Sequence, residues 1–253
     1  MTEIAPSDLT GLPPAGKPAV AVPLSQIEGG EQPRVLTGIT EFDRVLGGGL
    51  VPASVVLIGG EPGVGKSTLL LEVAGRLAGP DRRVLYYSGE ESAVQIKLRA
   101  DRIGVASDQV LLVTQGSLEE IRSLAETERP GCLIVDSIQT LPALRPSVTT
   151  GTATQLRGLT SVLVEMAKNL DLTTFIIGHI TKEGQLAGPK TLEHMVDAVL
   201  TFHGEIQSDI RILRAEKNRH GPLDEVGIFQ MTAGGLAPVL DPSHLFLTQR
   251  RRA

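Results

Sequence analysis

The sequence predicts an α/β protein with a mainly parallel β-sheet, helices on both faces and an antiparallel C-terminal extension. Three observations predict this fold. Short apolar, β-branched runs alternate with helix-period segments between residues 54 and 179, a pattern typical of parallel sheets. A glycine-rich loop of the phosphate-binding kind follows the first of these runs. From Asp197 onward, strand-like runs follow one another at Gly- and Pro-marked turns, without helical segments between them.

The glycine-rich loop fits the pattern G-x-x-x-x-G-K-[ST]. Glycine lets backbone N–H groups approach a polyphosphate because no Cβ blocks the way. A buried strand over residues 54–58 precedes the loop, and a helix beginning near Leu69 follows it, so the N-terminus of that helix adds to the anion site. We therefore expect a nucleoside triphosphate to bind at Gly60, Glu61, Pro62, Gly63, Val64, Gly65, Lys66, Ser67 and Thr68.

Individual side chains of this region have distinct expected roles. Lys66 supplies a positive charge for the β- and γ-phosphates, and Thr68 is placed to reach the α-phosphate side. Ser67 supplies a hydroxyl for Mg²⁺. Asp136, which ends a run of four apolar residues, is expected to orient the same Mg²⁺ ion; its place at a strand end disfavours the alternative role of a helix cap.

The N-terminal part of the chain differs from the rest. Residues 1–33 contain six prolines and little periodicity, so we interpret them as a flexible or partly docked linker. Order is expected to begin near Arg34. Thr40 is predicted to cap a short helix over residues 41–46 that stops at three consecutive glycines.

The remaining elements follow from periodicity and capping signals. Ser117 and Glu120 form the pattern of a capping box for a helix that reaches Glu128. Helices are also expected over residues 93–103 and after a polar loop that spans 139–152. The later strands are predicted at residues 83–88, 110–113, 132–136 and 173–178, and those of the antiparallel extension at 198–202, 210–216, 225–231 and 236–239.

Four candidate groups fall at the carboxyl ends of the predicted parallel strands, where ligands bind in such sheets. They are the phosphate loop, Glu90, Asp136 and His179. Glu90 is the expected residue that polarises the attacking water because it is nearer the strand end than Glu91, for which capping or pairing at the next helix remains open. His179 either senses the γ-phosphate by hydrogen bonding or is a buried structural histidine.

A pair of cations follows the predicted strand 210–216. Lys217 and Arg219 stand at alternate positions of an extended segment and therefore project to the same side. One interpretation is that they are solvated charges of a monomer. In a ring they would reach the γ-phosphate bound to a neighbouring subunit.

Composition limits the possible partners and compartment. The net charge is −5, so contact with nucleic acid requires a local basic patch rather than attraction to the whole chain. Cys132 is the single cysteine, which excludes an internal disulfide and a cysteine-based zinc site and fits a reducing cytoplasm. It opens an apolar run and is expected to be buried. No apolar stretch reaches membrane-spanning length, so no membrane association is expected, and residues 249–253 form a basic, solvated tail.

The motifs together closely resemble those of the RadA (Sms) family of bacterial DNA-repair proteins, over about residues 34–248. The resemblance includes Lys217-Asn218-Arg219-His220-Gly221, which matches the family signature Lys-Asn-Arg-Phe-Gly except at His220. That substitution leaves the packing of the turn open. The other matching strings are residues 37–39, 43–49, 60–68, 88–92, 136–140, 178–184 and 192–197.

The resemblance implies a RecA-like ATPase core that hydrolyses ATP with Mg²⁺. It further implies a hexameric ring on single-stranded DNA that promotes branch migration in homologous recombination alongside the RecA recombinase. In such a ring Lys217 and Arg219 would act in trans on a neighbour's nucleotide. The family's four-cysteine zinc module and Lon-protease-like domain have no counterpart here, so we expect either a fragment or a naturally short relative, with weak ring assembly and low DNA-stimulated turnover.

In RecA-like motors, the loops after the fourth and fifth strands face the centre of the ring. Here these loops are residues 141–152 and 181–190, and the expected DNA contacts are Arg145, Lys182 and Lys190. Both loops lack aromatic residues, so contact should be made to phosphates, without sequence preference and with strong salt dependence. Ordinary surface loops with a few basic residues are the competing interpretation.

Two other classes of function compete with a DNA motor. The adjacent glutamates and the Lys-x-Arg pair are also similar to the KaiC family of nucleotide-gated signalling proteins, although those have two fused phosphate-loop halves and this chain has one. The other alternative is an interaction protein that binds ATP but hardly turns it over.

Overall fold

The computed structural model describes residues 21–26, 33–144, 149–179, 192–204 and 208–241. Contacts divide the chain into two units, Met1–Gln32 and Pro33–Ala253. In the first unit the described residues form one exposed 3-10 turn, Leu24–Gln26. All strands and α-helices discussed below belong to the second unit.

Helices and strands alternate through most of the second unit. The helices are α1 (Thr40–Val45), α2 (Lys66–Leu77), α3 (Ala93–Arg102), α4 (Leu118–Glu128) and α5 (Ala153–Asn169), with a 3-10 turn at Ile138–Thr140. The strands are β1 (Val55–Gly60), β2 (Val84–Ser88), β3 (Val110–Val113), β4 (Cys132–Asp136), β5 (Thr173–His179), β6 (Ala198–Gly204), β7 (Ile210–Asn218), β8 (Val226–Thr232) and β9 (Gly235–Pro238). They form one sheet in the order β3-β2-β4-β5-β1-β6-β7-β8-β9.

The parallel half of the sheet is covered on both faces. Every residue of β1, β2 and β4 is buried, which explains why these strands are uninterrupted apolar runs. Successive residues of β1 alternate between two cores: Val56 and Ile58 pack with α1, α2 and α3, whereas Val55 and Leu57 pack with α4 and α5. The predicted α/β fold with helices on both faces is confirmed.

Register brings the carboxyl ends of the central strands level with one another. Gly60 of β1 lies beside His179 of β5, and Ser88 of β2 lies beside Asp136 of β4. The residues that follow these four positions therefore meet at a single edge of the sheet. This edge carries the phosphate loop.

The antiparallel extension begins one strand later than predicted. The sequence prediction placed residues 198–202 in that extension, but β6 pairs parallel with β1, and Asp197 donates its N–H to the carbonyl of Val55 where the two strands begin. The prediction was wrong here because β5 ends beside the carboxyl end of β1, whereas β6 begins beside its amino end. The chain has therefore returned along the length of β1 before β6 starts, which makes the two strands parallel. Strands β7, β8 and β9 are antiparallel, as predicted.

Local capping agrees with the sequence at one helix and differs at another. Ser117 and Glu120 form the predicted capping box of α4. The predicted cap at Thr40 is wrong, because α1 starts at Thr40 and no side chain caps its N-terminus. The Asp43 carboxylate instead holds the preceding segment, since it accepts hydrogen bonds from Thr37 N at 2.9 Å and Gly38 N at 3.1 Å.

Cys132 is buried, as predicted, and burial raises the pKa of its thiol to about 12, which makes it unreactive at neutral pH. Within the described ranges, every helix falls short of the length and apolar character that crossing a bilayer requires.

Candidate nucleotide-binding site

The phosphate loop joins β1 to α2, and its glycines are required by packing as well as by conformation. Gly63 and Gly65 have φ angles of 79° and 112°, in the left-handed region that favours glycine. A Cβ at Gly60 would lie 2.5 Å from the carbonyl oxygen of Phe202 on β6. A Cβ at Gly63 would meet no atom within 4 Å, so this part of the loop is open to a ligand.

Lys66 begins α2 and is only 4% exposed. Its Nζ donates hydrogen bonds to the carbonyl of Gly60 at 2.8 Å and to that of Glu61 at 2.9 Å, which holds the ammonium inside the loop. Burial lowers the pKa of Lys66, and the charges of Asp136 and Glu90 oppose that shift. The structure thus brings the predicted phosphate-binding cation close to both predicted carboxylates.

Asp136 lies at the end of β4 and is 3% exposed. Its Oδ2 accepts a 2.8 Å hydrogen bond from the Tyr86 hydroxyl, and the Ser67 side chain bonds to the same carboxyl group. Burial raises the pKa of Asp136, whereas the two hydrogen bonds oppose the shift. The Ser67 hydroxyl and the Asp136 carboxylate are oxygen ligands of the kind Mg²⁺ prefers, so the predicted pair fits that ion.

Glu90 follows β2 and has two partners at the same oxygen. The Ser137 hydroxyl donates to Glu90 Oε1 at 2.6 Å, and His179 Nε2 lies 2.8 Å from that atom. Burial alone would raise the pKa of Glu90, but these hydrogen bonds and the nearby charge of Lys66 outweigh it and lower the pKa. Glu90 is therefore an ionised carboxylate at neutral pH, as a residue that polarises water must be.

The neighbouring Glu91 has a different environment. Its carboxylate forms an ion pair with Arg99 on α3, and its N–H lies 3.4 Å from Ser88 Oγ. This is the pairing at the next helix that the sequence offers as its alternative role. Of the two adjacent glutamates, the structure joins only Glu90 to Ser137 and His179.

The sequence interpretation missed two site residues. It places Tyr86 only in a strand and Ser137 only in a matching string, although both carry hydroxyl groups next to predicted site residues. Tyr86 contacts Asp136 and Ser137 contacts Glu90 between neighbouring strands, and strand neighbours cannot be deduced from the sequence. The one feature of the sequence that could have identified a site residue is the position of Ser137 directly after a predicted strand. In the part of the chain that is described, two buried side-chain atoms have no hydrogen-bond partner: His179 Nδ1 and Gln139 Oε1.

Lys217 and Arg219 lie away from the phosphate loop of their own chain. Lys217 Nζ donates to the carbonyls of Glu193 at 2.6 Å and Val196 at 2.8 Å, and burial, with the charge of Arg219, lowers its pKa. Arg219 Nη1 lies 3.2 Å from Asp197 Oδ1.

The carboxylate of Asp197 also accepts a 2.9 Å hydrogen bond from Val55 N, at the amino end of β1. The length of β1, roughly 16 Å at about 3.3 Å per residue, therefore separates the two cations from the loop after Gly60. The structure does not bring Lys217 and Arg219 to the nucleotide site of the same chain.

The turn after β7 accommodates His220 at the surface. His220 is exposed, and its N–H donates to Asn218 Oδ1 at 2.9 Å. Gly221 packs so closely on Gly47 that a Cβ on either residue would lie 2.9 Å from the other's Cα. The predicted DNA contacts Arg145, Lys182 and Lys190 and the basic tail 249–253 lie outside the described residues.

Comparison with a solved structure supports the fold. A solved ATPase domain of another protein superposes with a TM-score of 0.68 at 18% sequence identity, and the match covers 82% of this chain and 92% of that chain. At this identity the likeness concerns the fold alone, and it is that of a RecA-like ATPase domain.

Sequence comparison identifies relatives at much higher identity. DNA repair protein RadA of Streptococcus pyogenes serotype M6 is 50% identical over 238 residues, which are 93% of this chain and 52% of the relative. DNA repair protein RadA of Bacillus subtilis is 50% identical over 228 residues, 90% of this chain and 50% of the relative. The protein of the same name from Streptococcus pneumoniae is 52% identical over 217 residues, 86% of this chain and 51% of the relative.

The chain spans about half the length of these curated relatives. A family profile described as "AAA domain" matches residues 33–185, which contain the phosphate loop and the carboxylates at the strand ends. The chain therefore belongs to the AAA domain family, and the predicted resemblance to RadA proteins is confirmed over their ATPase region.

Proposed function

We propose that the chain is a DNA-stimulated ATPase motor of the RadA type, which hydrolyses ATP in a ring on single-stranded DNA and promotes branch migration in recombinational DNA repair. The observation that carries the ATPase part is the Glu90 carboxylate. It is held by Ser137 and His179 at the edge of the sheet that carries the phosphate loop. The names of the relatives carry the DNA-repair part.

Different residues of the chain bind the phosphates, hold the metal ion and activate the attacking water. The amides of the phosphate loop and the Lys66 ammonium bind the β- and γ-phosphates. Ser67 and Asp136 would hold Mg²⁺, which would supply positive charge against the negative charge that develops on the phosphates. Glu90 accepts a hydrogen bond from the attacking water and draws its proton away, while Ser137 and His179 orient that carboxylate.

The His179 contact gives Glu90 a route to respond to the γ-phosphate. His179 Nε2 lies within hydrogen-bond distance of Glu90 Oε1, and His179 Nδ1 is buried without a partner among the described residues. We propose that the imidazole turns toward the γ-phosphate when ATP is bound. Glu90 then changes partner at the same time, so sensing and water activation are coupled through one hydrogen bond.

A ring explains the location of Lys217 and Arg219. They lie at the edge of the sheet opposite the phosphate loop, so they cannot serve the nucleotide of their own chain. In a head-to-tail ring two different surfaces of the chain meet at each interface, so the edge that carries the cations of one subunit can lie against the nucleotide site of the next. We propose that both cations act there on the neighbour's γ-phosphate, in a homo-hexamer.

DNA contact and biological setting complete the proposal. Arg145, Lys182 and Lys190 are proposed to bind phosphates of single-stranded DNA at the centre of the ring. The partner is the RecA recombinase, and the compartment is the cytoplasm, with no membrane role.

The decisive experiment measures ATP hydrolysis with and without a single-stranded oligonucleotide at low salt, together with the particle mass in the presence of an ATP analogue. We expect turnover that rises with DNA and loses its stimulation as salt increases. Lys66→Ala is the control and should abolish turnover. Slow turnover at a rate that DNA does not change would favour a KaiC-like signalling ATPase. ATP binding without turnover would favour an interaction protein.

A further inference from the structure

Arg211 is a buried cation that lies outside the residues assigned above. It is the second residue of β7 and is only 9% exposed. A guanidinium stays charged in proteins, so burying one is costly unless its N–H groups are hydrogen-bonded. Nε of Arg211 donates to the carbonyl of Val64 at 3.0 Å, and Nη1 donates to the carbonyls of Ile210, at 3.0 Å, and Ser208.

The carbonyl of Val64 belongs to the phosphate loop, one residue before Gly65. Arg211 thus joins two segments that are 147 residues apart in sequence. One end of its guanidinium holds the loop, and the other holds the backbone where β7 begins. The planar fork of arginine fixes the angle between these bonds, which the single ammonium of lysine does not.

The neighbouring strand makes room for this side chain. Gly204 of β6 pairs with Arg211, and a Cβ at Gly204 would lie 2.3 Å from Cδ and 2.8 Å from Nε of Arg211. Any other residue at this position would displace the arginine. Glycine at 204 is therefore explained by the path of the Arg211 side chain.

The loop also packs against the antiparallel strands beyond β7. A Cβ at Gly65 would lie 2.8 Å from Cε of Met231 on β8 and 3.5 Å from Cδ1 of Leu236 on β9. Val64 itself is 5% exposed. The shape of the phosphate loop thus depends on the C-terminal strands, and Arg211 provides a charged hydrogen-bonding link between them.

We propose that Arg211 is a positioning residue for nucleotide binding, which holds the phosphate loop through the carbonyl of Val64 and ties that loop to β7. The inference rests on the proposed nucleotide binding at residues 60–68. Preorganised amides bind phosphate more tightly than amides that must first be ordered, so loss of the link lowers affinity. A change in the loop on binding is also transmitted to β7, the strand whose other end carries Lys217.

The test compares Arg211→Met and Arg211→Lys with Arg214→Met. Arg214 lies on the same strand but on its exposed face, so it is a matched control for loss of one arginine from β7. A fluorescent ADP analogue with Mg²⁺ gives the affinity, thermal unfolding gives the stability, and ATP turnover gives KM and kcat. Hydrogen–deuterium exchange at saturating ADP shows whether binding protects residues 210–218.

We expect Arg211→Met to weaken ADP binding and raise KM about tenfold, with a smaller change in kcat, because a charge-assisted link of about 1.4 kcal/mol is lost. Arg211→Lys should fall between Met and the wild type, and Arg214→Met should match the wild type. ADP should protect β7 in the wild type but not in Arg211→Met saturated with ADP.

Wild-type ADP affinity in folded Arg211→Met would overturn the inference, as would β7 protection that persists in that variant. If Arg211→Met does not fold, the test relies on Arg211→Lys. An ADP affinity of Arg211→Lys equal to that of the wild type would then overturn the inference. Failure of the wild-type chain to bind ADP would instead refute the proposed function.

Discussion

Glu90 and His179 meet across 89 residues of sequence, with 2.8 Å between Glu90 Oε1 and His179 Nε2. Glu90 follows one parallel strand and His179 ends another, and both strands end at the edge that carries the phosphate loop. The contact joins the proposed water-polarising carboxylate to the proposed γ-phosphate sensor. Ser137 binds the same oxygen, so the three side chains act as one hydrogen-bonded group.

Replacing Glu90 by Gln should separate binding from hydrolysis. The amide oxygen still accepts the Ser137 hydrogen bond, but an amide cannot take a proton, so we expect kcat to fall by roughly 100-fold or more with ADP affinity unchanged. Turnover assays and fluorescent-ADP titration measure the two effects. Glu91→Gln is the matched control because Glu91 pairs with Arg99 instead, and it should retain turnover. Normal turnover in Glu90→Gln would remove Glu90 from the proposed role.

Ser137→Ala should reduce kcat and shift the acidic side of the pH profile of kcat to higher pH. The Ser137 hydrogen bond lowers the pKa of Glu90, so its loss raises that pKa and protonates the carboxylate at higher pH. We therefore expect about a tenfold loss of kcat, equivalent to about 1.4 kcal/mol, and inactivation that begins at higher pH than in the wild type. The pH profile of kcat measures this, and an acid limb that stays in place would contradict the role of Ser137.

Tyr86→Phe should destabilise the chain by removing a buried hydrogen bond to a carboxylate. The hydroxyl of Tyr86 is one of the groups that hold down the pKa of Asp136, so its loss leaves that buried charge less satisfied. We expect a loss of roughly 1–3 kcal/mol at neutral pH in urea unfolding, and a higher Mg²⁺ concentration for half-maximal turnover. Tyr87→Phe is the control, because the Tyr87 hydroxyl bonds the neutral Thr140 side chain, and its Mg²⁺ dependence should not change.

Lys217→Ala should impair only the assembled form. Its Nζ lies at the edge of the sheet opposite the phosphate loop, so we expect ADP binding by the isolated chain to be unchanged. Mixing the inactive variants Lys217→Ala and Lys66→Ala should restore part of the turnover. In a randomly mixed ring, about a quarter of the sites combine an intact phosphate loop from one subunit with an intact Lys217 from the next. A mixture as inactive as its components, in rings of confirmed mass, would rule out action across the interface.

Glu72→Gln should alter the pH dependence of stability. Glu72 on α2 accepts a 3.1 Å hydrogen bond from Leu236 N, and burial raises its pKa above the ordinary value of 4.5. A raised carboxyl pKa means that the folded state binds more protons, so stability falls as pH rises from 4.5 through the folded pKa. We expect Glu72→Gln to unfold at a higher temperature than the wild type at pH 7, with the difference disappearing toward pH 4.

Thermal scans at several pH values measure that difference. Glu126→Gln, on the exposed face of α4, controls for the change in net charge. A Glu72→Gln variant that is less stable than the wild type at pH 7 would show that the carboxylate is favoured where it lies.

Errors in the sequence interpretation had specific physical causes. The predicted direction of β6 was wrong because a short apolar run can pair in either direction, and the direction was decided by the start of β6 at the amino end of β1. The predicted cap at Thr40 was wrong because the helix begins at Thr40 itself, with Ile39 at the cap position, and Asp43 binds the N–H groups of Thr37 and Gly38 just before it. Both outcomes depend on where neighbouring segments lie.

The sequence by itself determined what depends on neighbouring residues: the phosphate loop, the bounds of β3, β4 and α4, and the capping box of Ser117. These features follow from backbone conformation and side-chain period over a few residues. Tertiary structure alone decided the contacts of Ser137 with Glu90, Tyr86 with Asp136 and Arg211 with Val64, which join positions 47, 50 and 147 residues apart. Those pairs exist because β4 lies between β2 and β5 and because β7 reaches the loop after β1, and strand order is set by packing of the whole core rather than by any local pattern.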